Sequence, residues 1–127
     1  MSARFLFDTD VLIDYLRGRE QAVEYLESLD GAAHVSAITV AELYSGVRDS
    51  EQEALERFLS AFEVVTVGRE VARSAGLCRK TYGPAHGTGL ADAIVAMSAK
   101  AVGAALVTLN RRHYPMVEDL VVPYARD

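Results

Sequence analysis

Short apolar runs alternate along this chain with segments whose apolar residues return every three or four positions. The first run, residues 4–7 (RFLF), closes on Asp8 and reads as a strand. Residues 11–17 follow as a short helix with Thr9 or Asp10 as its N-cap. Ala22, Tyr25, Leu26 and Leu29 keep helical spacing, so residues 19–29 form a second helix, ended by Asp30-Gly31. A brief strand over 33–36 leads into a third helix, capped by Ser36 and running to about Val47. Ser50 and Glu53 have capping-box spacing ahead of the stripe Leu55, Phe58, Leu59 and Phe62. Residues 64–67 read as a strand, 69–82 as a helix, and 83–89 (GPAHGTG) as a loop dominated by Gly and Pro. An apolar helix over 90–102, a strand over 104–108 and a last short strand over 120–123 complete the pattern. Strands alternating with helices predict an α/β fold, a three-layer sandwich around a mostly parallel sheet. Ligands of such folds sit beyond the carboxyl ends of the strands. Asp8 and Asn110 are both expected there.

Length and composition narrow the class. The 127 residues suit one domain, and 50% hydrophobic with 24% charged residues is globular composition. Residues 90–109 are the longest apolar region, but Asp92 and Lys100 interrupt it. A membrane span needs about 18 to 20 uninterrupted apolar residues. The start MSARFLFD is too short an apolar run for a secretory signal, so a cytoplasmic protein is expected. Cys78 is the only cysteine, which leaves no disulfide framework and no cysteine-cluster metal site. The net charge of −5 argues against binding nucleic acid by coating phosphates alone. Such a role requires a bound divalent cation, a local patch such as Arg111, Arg112 and His113, or both. The same acidity attracts a basic protein partner.

The carboxylates carry the chemistry. Glu42 is the only charged residue in SAITVAELYSGV, and apolar residues on both sides of it predict a partly desolvated acid. Asp92 stands in GLADAIVAMSA, with Lys100 its nearest charged neighbour in sequence. Asp8 ends an apolar strand. A desolvated carboxylate is costly unless paired or metal-bound. Three of them without a local cation point to a shared one, and oxygen ligands favour Mg²⁺ or Mn²⁺ over zinc. Taken singly, Asp92 also suits a helix's first turn, Glu42 a distant Arg, Asp8 a helix cap and Asn110 a turn.

Four segments in order resemble one known family. FLFDTDVLIDYL resembles the opening of PIN-domain proteins, VSAITVAELYSGV their second motif with Glu42, and GLADAIVAMSA their third with Asp92. LVTLNRRHYP resembles the fourth, with Thr108 and Asn110 in a T-x-(D/N) pattern. The resemblance spans essentially the whole chain, a single domain over 1–127, and its wording is similar to VapC toxins of bacterial toxin–antitoxin pairs. It implies a PIN-like α/β/α sandwich that hydrolyses RNA phosphodiester bonds with a divalent metal. Asp8 and Asp92 would be the principal ligands, Glu42 would complete or orient the metal's water shell, and Asn110 would hold a ligand, a water or the scissile phosphate. Thr108, Arg111 and Arg112 are candidate RNA contacts. The resemblance further implies a homodimer and a cognate VapB-like antitoxin whose C-terminal segment plugs the acidic groove.

Two positions depart from the pattern. Asp10 stands where the family often has Asn or Ser, and Asn110 replaces a carboxylate that many members carry. An amide is not a charged ligand, so one well-held metal is expected and a second is left open. Two alternatives stand beside this reading. Loss of the acid at 110 suits a PIN-fold binding module with weak catalysis. Asp8-Thr9-Asp10 also resembles the D-x-D opening of haloacid-dehalogenase-type phosphatases, although neither Lys80 nor Lys100 lies in the context those enzymes need.

Overall fold

A computed structural model describes residues 3–125. Its centre is one sheet of five strands: β1 (Arg4–Phe7), β2 (Ala32–Ser36), β3 (Glu63–Val65), β4 (Ala105–Val107) and β5 (Leu120–Val121). Every pairing is parallel and the order is β3-β2-β1-β4-β5. Six helices connect them: α1 (Thr9–Leu16), α2 (Glu20–Ser28), α3 (Ala37–Ser45), α4 (Gln52–Leu59), α5 (Arg69–His86) and α6 (Leu90–Val102).

Period-two alternation in the strands builds two cores. Phe7, Val35 and Val107 point into one layer and meet Val11 and Leu12 of α1, Leu43 of α3, and Leu55 and Leu59 of α4. Leu6 and Leu106 point the other way and meet Val95, Ala96 and Ala99 of α6. Helix α5 covers α6 from outside through Ala75, Cys78 and Ala93. Central strands covered on both faces must be apolar, which is why FLF in β1 and ALV in β4 read as unbroken runs. The result is the expected α/β/α sandwich, with its sheet wholly parallel.

The strand order places the site. From β1 the chain steps outward to β2 and β3, then returns to the other side of β1 for β4 and β5. The order therefore reverses between β1 and β4, and a crevice opens beyond their carboxyl ends at such a reversal. Phe7 pairs in register with Val107, so Asp8 and Thr108 leave the sheet side by side.

Several local boundaries differ, among them β3, which spans Glu63–Val65 rather than 64–67. The N-cap of α1 is Asp8, not Thr9 or Asp10; its carboxylate accepts from the Thr9 N–H at 2.9 Å. The turn before α4 is capped earlier than Ser50 and Glu53 suggest: a 3₁₀ turn, Asp49–Glu51, intervenes, and Glu51 accepts from the Arg48 N–H at 3.1 Å. Helix α5 runs through Gly83 and Pro84 to His86, so the expected loop over 83–89 shrinks to 87–89. Pro84 lies near the end of α5, where it removes one helical hydrogen bond, while packing of Tyr82 over α6 holds the last turns. The stop is Gly87, whose φ of 66° is left-handed and whose N–H closes on Gly83 at 3.0 Å. The last strand ends at Val121, ahead of Pro123, which has no N–H to give the sheet.

Candidate active site

Asp8 is the first residue beyond β1 and is only 8% exposed. Oδ1 accepts from the Thr9 N–H, and Oδ2 accepts from two hydroxyls, Thr108 and Tyr114, each at 2.8 Å. Burial pushes the Asp8 carboxyl above the usual carboxylate range; the three hydrogen bonds oppose that, and the charge of Asp92 reinforces it.

Asp92 enters from the other side of the crevice, in the first turn of α6. Its Oδ2 accepts from the Gly89 N–H at 2.9 Å, an ordinary helix-start bond. The same oxygen lies 3.3 Å from Nδ1 of His113, and Oδ1 lies 3.3 Å from the Tyr114 hydroxyl. The two acids that the sequence singled out as metal ligands thus meet at one phenol.

Glu42 corrects an expectation. It is exposed, not desolvated, because α3 turns only Thr39 and Leu43 fully into the protein; Ala41 and Tyr44 are exposed with it. Its Oε1 accepts from the Thr9 hydroxyl at 2.7 Å, and that hydroxyl lies 3.1 Å from the hydroxyl of buried Thr39. Glu42 therefore flanks Asp8 through Thr9. Among the described residues, no three His, Cys, Asp or Glu side chains gather closely enough to hold a metal ion.

Asn110 is exposed just past β4. Its backbone N–H donates to the Thr108 hydroxyl at 3.1 Å, and its side-chain amide donates to Oδ2 of Asp10 at 3.3 Å. Asp10 also accepts from the N–H groups of Val11 and Leu109. Thr108 is fully buried with its hydroxyl spent on Asp8, so it supports the acid from beneath and does not face RNA. Arg111 and Arg112 are exposed in the 3₁₀ turn Arg111–His113 at the crevice rim.

Sequence reasoning missed Tyr114 and Thr9. Tyr114 carries a usable signal: a tyrosine four residues beyond a site candidate, whose hydroxyl must find a partner if the ring is buried. Thr9 carries none, because its role depends on α3 lying against α1.

The donor set suits a hard divalent cation. Asp8 and Asp92 are oxygen donors on opposite walls, joined by one hydroxyl, and both lack a Lys or Arg counter-ion among the described residues. Mg²⁺ commonly takes one or two carboxylates and completes its shell with water and phosphate, so two acids fit it without a full protein cage.

Comparison with known proteins agrees with this architecture. The PIN domain family model matches residues 5–117. Ribonuclease VapC10 of Mycobacterium tuberculosis is 38% identical over 123 residues, covering 94% of this chain and 92% of the relative. Ribonuclease VapC1 of Methanocaldococcus jannaschii is 31% identical over 122 residues, covering 92% of this chain and 83% of the relative. Among solved structures, a toxin–antitoxin complex from Klebsiella pneumoniae superposes with a TM-score of 0.82 at 30% identity, over 98% of this chain and 100% of the other.

Proposed function

The chain belongs to the PIN domain family, and on that footing we propose that it is a metal-dependent endoribonuclease acting as the toxin of a toxin–antitoxin pair. The observation that carries the site assignment is the meeting of Asp8 and Asp92 at the Tyr114 hydroxyl, in the crevice where the strand order reverses. Asp8 and Asp92 would hold one Mg²⁺ or Mn²⁺. Bound there, the ion supplies Lewis-acid polarisation of a phosphoryl oxygen and eases deprotonation of water. Glu42, exposed on the flank, orients water approaching the phosphate. The Asn110 amide is held by Asp10 at the crevice mouth, where it can hydrogen-bond a phosphate oxygen or a water. Arg111 and Arg112 draw RNA phosphates to the rim and offset the acidic surface.

No helix is long and apolar enough to cross a membrane among the described residues, and we assign the whole chain, as one domain, to the cytoplasm. Its partners on this reading are RNA, a second copy of itself, and a VapB-like antitoxin. The Klebsiella neighbour is a complex of toxin and antitoxin, and the acidic crevice favours a cationic segment as its plug. A phosphatase of the haloacid-dehalogenase type is set aside by the PIN domain match.

RNA cleavage with Mg²⁺ or Mn²⁺, against EDTA, in wild type and Asp8→Ala tests the proposal. Metal-dependent cleavage that the substitution abolishes is expected. Equal cleavage by both proteins would sink the assignment, and RNA binding without cleavage would favour the binding-module reading that Asn110 suggests.

A further inference from the structure

Tyr114 carries an aromatic ring through the core and delivers its hydroxyl into the acidic site. The residue is 2% exposed, and its ring packs in the cluster of Leu6, Val95, Ala96 and Leu106. Its backbone is tied at both ends: the Tyr114 N–H bonds Arg111 at 3.0 Å, and its carbonyl accepts from Val117 at 3.1 Å. A ring held this way leaves the phenol oxygen little freedom. That oxygen stands 2.8 Å from Asp8 Oδ2 and 3.3 Å from Asp92 Oδ1.

The two acids have no other direct link. One ends a strand and the other opens a helix 84 positions later, and two like charges left to themselves separate. A phenol has a single proton, so it donates strongly to one oxygen, here Asp8, and keeps the second carboxylate at the same point by a weaker share. We infer that Tyr114 is a positioning residue of the metal centre: its hydroxyl ties Asp8 and Asp92 to one point and sets the spacing at which a hard divalent cation meets both. The inference rests on the metal-dependent reading above. It extends that reading to a residue that is no ligand type for Mg²⁺ and is invisible to a search for acids. Hydrogen-bonding groups that orient metal ligands typically contribute about 10–100-fold to affinity. Phenylalanine at this position keeps the ring packing and removes only the tie.

The test is Mn²⁺ titrated by calorimetry, without RNA, into wild type and Tyr114→Phe. The expected dissociation constant for Tyr114→Phe is about tenfold higher or more, with an unchanged far-UV circular dichroism spectrum. RNA cleavage by the variant should fail at low Mn²⁺ and return at high Mn²⁺, because excess ion fills a loosened site by mass action. Equal Mn²⁺ affinities overturn the inference while leaving the metal site standing, and so does a folded variant that no Mn²⁺ concentration restores. Wild type that takes up no Mn²⁺ overturns the metal reading and this inference together. A wild-type measurement covers the case in which the variant does not fold. With ring-labelled tyrosine, the Tyr114 resonances should move with Mg²⁺ along the binding curve; resonances unmoved at saturation would overturn the inference.

Discussion

The side-chain amide of Asn110 donates to Oδ2 of Asp10 at 3.3 Å, joining across 100 positions the two residues that depart from the family pattern. One departure adds an acid and the other removes one, and they lie in contact. The pair therefore keeps one carboxylate and one amide at this corner of the crevice.

This contact makes the two positions interdependent. Asn110→Asp places two carboxylates against each other, and Asp10→Asn removes the charged acceptor that also holds the Leu109 N–H. Each single change is expected to destabilise by about 1–2 kcal/mol. The exchanged double variant, Asp10→Asn with Asn110→Asp, should recover most of the loss, since an amide again faces an acid. Urea denaturation of the four proteins measures the coupling. Strictly additive losses would show that the two residues act separately.

Asp8 is a stability liability without metal. Its folded-state carboxyl titrates above its ordinary value because of burial, so the native state binds its proton more tightly than the unfolded chain does. The penalty is absent below the ordinary carboxylate range, where both states are protonated. It grows as pH rises toward the raised folded value and is complete above it. In EDTA, the melting temperature of Asp8→Asn relative to wild type should therefore rise as pH increases from about 4 toward neutral. Asparagine still serves as an N-cap for α1, but its amide cannot accept from the Thr108 and Tyr114 hydroxyls as the Asp8 carboxylate does, so the charge is read from the pH dependence of the difference rather than from its size. A difference between the two proteins that does not change with pH would contradict the burial argument.

Arg111 and Arg112 separate binding from chemistry. Both are exposed at the rim, so alanine at either should leave thermal stability unchanged. If each neutralises one phosphate, each substitution should lower the salt slope of RNA binding by about 1 and weaken all RNA sequences alike. Fluorescence anisotropy over a range of salt concentrations reads both effects. An unchanged slope would remove the arginines from the RNA path.

The parts legible in the sequence were those set by local pattern. Alternation and helical spacing located the strands and helices, because burial on two faces forces residues 5–7 (FLF) and 105–107 (ALV) to be apolar. Asp8 and Asp92 were conspicuous for the same reason: a carboxylate beside a buried segment needs a purpose. Local pattern misread Glu42, since an apolar neighbourhood in sequence says nothing about whether another element covers that side of α3. It misread Gly83 and Pro84 as well, since α6 holds α5 helical through residues that favour a break.

Which side chains meet depends on the packed fold. Parallel register sets Asp8 beside Thr108, a hundred positions apart. A short turn after β4 brings the Tyr114 hydroxyl between Asp8 and Asp92. Propensity and periodicity reach only a few residues along the chain, whereas these contacts come from strand order and from the packing of one ring into the core. Local pattern was enough for the fold class and for picking out Asp8 and Asp92; strand order and packing bring those two acids to one phenol.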